Sequence, residues 1–214
     1  MKRVSAILLA AGESRRMGGI NKLSLPVAGE PLLRRTAGIL MNCSLYEIVV
    51  VIGYEQHAAR DLLGDLPIRI IHNAHYSEGQ MSSVHCGMAA LREPCEGVMV
   101  CLSDQPLLET GDIEQLVDSF LHRCPTSVLV PTWQDQRGNP IILSSRHCGE
   151  ILAGRPNLGC KKLIENNPGL VTTLEMNSDH VVIDLDTPAD YQRLLQRLEA
   201  ENNTTVEINP GNPP

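Results

Sequence analysis

The chain has 214 residues, 43% of them apolar and only 3% aromatic, with a formal net charge of −7. The apolar share supports a substantial core and excludes a disordered chain. The acidic balance and the scarcity of rings argue against a nucleic-acid groove or an anionic membrane surface, so a phosphate site must be a local concentration of basic groups.

Residues 4–10 are almost continuously apolar and predict a central strand, followed by a glycine-containing loop. Residues 31–41 carry Leu32, Leu33, Ala37, Leu40 and Met41 at helical spacing. Strands are expected at 48–52 and 68–71, with a short helix at 56–63 between them and another helix at 82–91. Residues 97–102 form a further apolar strand running into Ser103-Asp104-Gln105-Pro106. Thr110 is placed to cap a helix with Ile113, Leu116, Val117, Phe120 and Leu121 on one face.

Strands are expected at 127–131 and 141–143, helices at 145–153 and 158–166, and a short strand at 181–183. Thr187-Pro188-Ala189-Asp190 has the cap, the first-turn proline and the early acid of a helix start. From Glu201 the composition turns to Asn, Thr, Gly and Pro, the mark of a flexible tail. Strands alternating with helices imply one three-layer α/β/α domain over 1–200 with a mostly parallel sheet, and 201–214 as the tail. Ligands of such folds bind beyond the carboxyl ends of the strands, where the glycine loop and Asp104 both fall.

Seven cysteines, at 43, 86, 95, 101, 124, 148 and 160, include no CxxC pair, so zinc and dithiol motifs are unsupported. Reduced thiols, no signal peptide and no long apolar run point to a cytoplasmic protein. Basic residues gather at Arg15, Arg16, Lys22, Arg34 and Arg35. In Leu9-Ala10-Ala11-Gly12-Glu13-Ser14-Arg15-Arg16-Met17-Gly18, small residues admit backbone N–H groups to phosphate oxygens. Arg16 offers a bidentate guanidinium and Lys22 a mobile point charge. A P-loop fails because Met17 stands where its second glycine belongs, and no G-x-G-x-x-G occurs.

This loop, with Asn21-Lys22-Leu23-x-Leu25-Pro26, Glu78-Gly79-x-Met81-Ser82-Ser83, Asp104-Gln105-Pro106, Arg137-Gly138-Asn139-Pro140 and Asp184-Leu185-Asp186-Thr187-Pro188, resembles the signature of the molybdenum-cofactor nucleotidyltransferases. These belong to the NTP transferases of glycosyltransferase-A-like (nucleotide-diphospho-sugar transferase) fold. The Ala-Ala-Gly form, through Ala11, resembles the cytidylyltransferase branch and implies CTP. The resemblance implies nucleotide contacts from Leu9, Ala10, Ala11, Gly12, Ser14, Arg16, Lys22, Gln80, Ser82 and Ser83. It implies Mg²⁺ on Asp104 and Asp186, with Arg16, Lys22 and Asp104 as the catalytic set and Arg137 and Asn139 beside the acceptor.

Residues two apart in an extended segment share a side, so Asp184 is a further metal candidate beside Asp186. Asp190 is explained by the helix dipole. The acceptor implied is a molybdopterin phosphate carrying molybdenum, with a molybdenum hydroxylase or its maturation factor as partner. Alternatives left open are GTP, a sugar-phosphate acceptor, a cofactor chaperone without activity, and a flavin or nicotinamide oxidoreductase.

Overall fold

The computed structural model describes residues 3–92, 94–123, 127–153 and 164–208. Seven strands run in the order β10-β7-β9-β6-β1-β4-β5. They are β1 (Val4–Ala10), β4 (Ile48–Ile52), β5 (Arg69–His72), β6 (Gly97–Leu102), β7 (Val128–Trp133), β9 (Ile141–Ser144) and β10 (Val171–Glu175). A two-residue β8 (Gln136–Arg137) pairs with β7. The helices are α1 (Leu32–Met41), α2 (Gln56–Leu63), α3 (Gln80–Ala90), α4 (Thr110–Arg123), α5 (Cys148–Leu152) and α6 (Pro188–Ile208).

Strand β1 is buried throughout because it is central, paired in parallel with β4 on one side and β6 on the other. Alternate side chains then define two cores. Ala6, Leu8, Val50, Ile52, Met99 and Cys101 face Leu33, Ala37 and Leu40 of α1 and Ile113, Leu116, Val117 and Phe120 of α4. Ile7, Leu9, Val49, Val51, Val98 and Val100 face Val84 and Met88 of α3 and Ile151 of α5. These are the three layers that the alternating pattern predicts. Cys101 lies in the core, and burial pushes its thiol well above the usual range.

The sheet is mostly parallel, with β9 antiparallel to both of its neighbours, β6 and β7. A third, smaller cluster joins Met17, Val27, Leu32, Leu107, Leu185 and Leu194. Its members come from the glycine loop, a hairpin, α1, the loop after β6, the segment before α6, and α6 itself.

Several expectations are corrected. The predicted strand at 181–183 is instead a 3-10 turn, Asp179–Val182, whose Val181 carbonyl accepts from Gln105 Nε2 at 2.8 Å and Asn139 N at 2.9 Å. Three apolar residues there serve as an anchor rather than a ladder. The helix expected over 145–153 divides into a 3-10 turn, Ser145–His147, and α5. Thr110 is not the cap of α4: the Asp112 carboxylate reaches back to accept from Glu109 N at 2.9 Å.

Strand β10 and the hairpin of β2 (Pro26–Val27) and β3 (Glu30–Pro31) are absent from the sequence reading. The hairpin turns through Ala28 and Gly29, both at positive φ, as a twisted two-residue turn requires. The final helix starts as predicted. Thr187 N donates to Asp190 at 2.7 Å, and Asp190 N donates back to the Thr187 hydroxyl at 3.2 Å. Helix α6 continues through 201–208, while 209–214 and most of the helix expected at 158–166 lie outside the described residues.

Candidate active site

Because β1, β4 and β6 are parallel, the segments after them emerge on one edge of the sheet. Ser103 prolongs the register there, donating from both its N and its hydroxyl to the Leu9 carbonyl, at 3.2 and 2.8 Å. A cleft of about 410 Å³ opens at this edge. Its walls include Leu9, Ala11, Gly12, Ser14, Arg16 and Lys22 from the first loop, and Asp104 and Asp186 opposite. Gln80 and Ser83 from the start of α3 complete it, with Tyr76 and Gly79 just before.

Met17, 1% exposed, pins the loop into the small third cluster, which leaves Arg16 directed outward with 70% of its side chain exposed. Ser14 adopts φ 52°, and its hydroxyl accepts from Lys22 N at 3.4 Å. Leu23 is buried and its N–H donates to the Asn21 side chain at 3.0 Å, which fixes the backbone under Lys22.

The Lys22 ammonium then sits between two carboxylates, 2.7 Å from Asp104 Oδ2 and 3.3 Å from Asp186 Oδ1. Arg16 holds the other oxygen of Asp186 at 2.9 Å. Lys22 and Asp186 alone are 164 positions apart in sequence, and the third cluster explains how the four charged groups meet. Met17 is next to Arg16, Leu107 follows Asp104, and Leu185 precedes Asp186. Leu185 N also donates to the Asp104 carbonyl at 2.8 Å, tying the two acid-bearing segments directly.

The sequence-based candidates divide as follows. Leu9, Ala11, Gly12, Ser14, Arg16, Lys22, Gln80, Ser83, Asp104 and Asp186 all line the cleft. Ala10 is buried in the core and does not line the cleft. Ser82 does not line the cleft. Its hydroxyl bridges the carbonyls of His75 and Gly79, each at 2.8 Å, and so organises the turn into α3. Arg137 lies on exposed β8 and Asn139 follows it, both outside the cleft. Gly138 between them is required, because a Cβ there would stand 2.4 Å from the Val181 carbonyl oxygen. Of the other basic residues, Arg34 pairs with Asp65 at 2.6 Å and Arg35 donates to the Pro106 carbonyl, so neither serves the cleft.

Asp184 and Asp186 are not part of a strand and line different hollows, although Asp184 remains close enough to feel the charges of Asp104 and Asp186. Asp184 lines a neighbouring hollow of about 310 Å³ with Arg193 and Arg197. The residue as a whole is exposed, yet desolvation by surrounding protein, then the charges of Asp104 and Asp186, raise its carboxyl to about 6. Asp190 is spent on the helix start, as expected.

Two residues escaped the sequence reading. Asn73, buried at the end of β5, donates to the hydroxyls of Ser82 and Ser83 at 2.8 and 3.0 Å and accepts from His75 N. Tyr76 packs edge-on to Tyr54. Its approach depends on Gly53, where a Cβ would lie 2.6 Å from Tyr76 Cβ and 2.9 Å from Ala11 Cβ. The apolar-to-polar step at His72-Asn73 was the available signal for Asn73; nothing local marked Tyr76.

The residues present fit a divalent cation. Asp104 Oδ1 is buried with no hydrogen-bond partner among the described residues. A cationic group already occupies the space between Asp104 and Asp186. Among the described residues no group of three His, Cys, Asp or Glu side chains is placed to hold a metal. Mg²⁺ does not need one, because it takes one or two carboxylates and completes its shell with water and substrate phosphates.

Residues 6–173 match the sequence model of the MobA-like NTP transferase domain. The chain belongs to this family. The matched span carries the glycine loop, Lys22 and Asp104; Asp186 lies beyond it. Among relatives of this MobA-like chain, nicotine blue oxidoreductase of Paenarthrobacter nicotinovorans is 27% identical over 199 residues, covering 90% of this chain and 96% of its own. A probable molybdenum cofactor guanylyltransferase of Haloferax mediterranei is 30% identical over 113 residues, covering 52% of each. In structure, Rv0371c of Mycobacterium tuberculosis H37Rv, solved as a complex with manganese, superposes with a TM-score of 0.75. It is 22% identical and covers 91% of this chain and 99% of its own, which establishes the shared nucleotide-diphospho-sugar transferase fold. No helix among the described residues is long and apolar enough to cross a membrane.

Proposed function

We propose that this MobA-like NTP transferase moves CMP from CTP to the terminal phosphate of a molybdenum-carrying molybdopterin and releases pyrophosphate. The observation that carries the reading is the meeting of Arg16 and Lys22 with Asp104 and Asp186 in the cleft floored by the glycine loop. Cations alone would suit any anion, and carboxylates alone any cation. Together they suit a metal-bound triphosphate.

An acceptor phosphate is nucleophilic at neutral pH, so no Ser–His pair is needed. In this reading Arg16 and Lys22 bind the phosphates and stabilise the charge that develops as pyrophosphate leaves. Asp104 and Asp186 hold Mg²⁺, which when bound polarises the α-phosphate and neutralises charge on the leaving group. The manganese in the Rv0371c complex is consistent with a divalent ion in this fold. Gly12 and the N–H groups around it cradle the triphosphate. Gln80, and Ser83 positioned by Asn73, contact the nucleoside. Arg137 and Asn139 stand on the acceptor side, near Asp104 through the Val181 carbonyl that Gln105 and Asn139 share.

The choice of CTP rests on Ala11, which lines the cleft and, with Tyr76, packs against Gly53. The Haloferax relative's name favours a second reading, GTP in the same cleft. A molybdenum hydroxylase or its maturation factor would receive the product, in the cytoplasm. Residues 1–200 would form the catalytic domain and 201–214 a peripheral tail.

The test is pyrophosphate release with Mg²⁺, a molybdenum-loaded molybdopterin acceptor and each of CTP, GTP, UTP and ATP in turn. CTP is expected to be used at least tenfold faster than the others, the size of a single-residue base preference. Faster use of GTP would overturn the cytidylyl reading. Absence of release with every nucleotide would overturn transferase activity on this acceptor.

A further inference from the structure

We propose that Lys22 is a built-in counter-cation that keeps the Asp104–Asp186 pair closed to a divalent metal until a triphosphate draws it away. The inference rests on the reading of the cleft as a nucleotide and metal site, and it concerns the order in which that site fills.

Lys22 and Arg16 are unequal partners of these carboxylates. The Lys22 side chain is 13% exposed and its ammonium touches both acids, at 2.7 and 3.3 Å. The Arg16 side chain is 70% exposed and touches Asp186 alone. Lys22 therefore sits inside the pair, whereas Arg16 leans on it from solvent. With both in place, two cations balance Asp104 and Asp186, and the negative field left at the pair comes from the neighbouring Asp184 carboxyl. A divalent ion must displace the ammonium or share the pair with it against like-charge repulsion.

The backbone beneath Lys22 is fixed by the Asn21 contact, buried Leu23 and the Ser14 hydroxyl. Exchange therefore takes place by rotation of a four-carbon side chain, without movement of the loop. A bound triphosphate offers the ammonium a denser negative partner on the glycine-loop side of the same cleft. Once Lys22 has turned to it, Arg16 still leans on Asp186, but Asp104 is left without its cation, and its Oδ1 already has no partner among the described residues. Metal and nucleotide binding are thus coupled, and thermodynamic reciprocity makes the coupling act in both directions.

The test titrates the full chain with Mn²⁺ in the absence of nucleotide, reading free Mn²⁺ by electron paramagnetic resonance and the melting temperature in parallel. Wild type and Lys22→Arg, which keep a cation in the pair, are expected to bind Mn²⁺ weakly. Lys22→Met is expected to bind it at least about tenfold more tightly, within the usual span of coupling factors, and to gain thermal stability from Mn²⁺ that wild type does not. Adding Asp104→Asn to Lys22→Met should abolish the gain. Equal Mn²⁺ affinity in wild type and Lys22→Met, lost from both with Asp104→Asn, would overturn the counter-cation role and leave the metal site standing. If no form binds Mn²⁺ better than Asp104→Asn, with or without CTP, the metal reading falls and this inference with it.

Discussion

Leu185→Ala probes how three loops far apart in the chain are held in one cleft. Leu185 is 1% exposed and packs in the cluster that contains Met17, Leu107 and Leu194. Truncating a buried leucine costs roughly 2–5 kcal/mol. The cluster is small and bordered by the partly exposed Leu25, Ile183, Tyr191 and Leu198, so partial collapse places this site near about 3 kcal/mol. For a chain of this size that lowers the melting temperature by roughly 6–12 °C. The backbone bond from Leu185 N to the Asp104 carbonyl survives, so the damage is a loosened Asp186 rather than an unfolded segment.

A shift of about 1 Å at a reacting group costs about 10²-fold in rate. The control is Leu40→Ala, equally buried but in the large core beneath α1 and outside the cleft. Both variants are melted by calorimetry, and pyrophosphate release is measured well below both transitions. Similar stability losses are expected, with turnover falling about 10²-fold for Leu185→Ala and little for Leu40→Ala. Equal turnover in the two would refute the claim that this cluster positions the site.

Asp104→Ala should lower pyrophosphate release by about 10³-fold, the scale of removing one charge-stabilising group, while circular dichroism stays native; near-wild-type release would sink the metal assignment. Gly53→Val drives a side chain into Tyr76 and Ala11, and is expected to erase the thermal shift produced by CTP; a retained shift would show that Tyr76 is not part of the nucleotide wall. Arg197, at 2.6 Å, holds the Asp179 carboxyl below its usual range. A depressed folded-state value contributes stability above the unfolded range, about 3.9, and loses it as pH falls through the folded value. The melting-temperature gap between wild type and Asp179→Asn should therefore be open at pH 7 and close below about pH 4. A gap unchanged between pH 7 and pH 3 would exclude that linkage.

The large α/β frame was legible because it depends on local pattern. β1, β4 and β6 are apolar runs buried on both faces, and α1 and α4 carry apolar residues at helical spacing. The glycine loop's place at the cleft was legible because its small and basic residues are contiguous. Strand β10 was not, since Val-Thr-Thr-Leu-Glu at a sheet edge keeps only a weak alternation and owes its existence to β7. Nor did spacing reveal that Asp184 and Asp186 line different hollows, with Leu185 between them docked into a tertiary cluster. Asn73 and Tyr76 were hidden for the same reason: their partners lie on α3 and beside Ala11, not next to them in sequence. The pairing of Lys22 with both acids is a property of three loops, and no window of sequence contains it.

The position of Asp186 gives the chain a temporal character. Lys22 stands 82 positions from Asp104 and 164 from Asp186, so the loop that carries the ammonium is synthesised well before the second carboxylate it touches. Among the described residues all the strands of the sheet precede Asp186, ending at Glu175. During synthesis, when domains fold as their residues emerge, the sheet and glycine loop have their sequence before the acid pair does. In the reading proposed above, the loop assigned to the nucleotide would exist before the acid pair assigned to the metal, and the two meet only when Leu185, just before α6, and Leu194 of α6 pack with Met17 and Leu107.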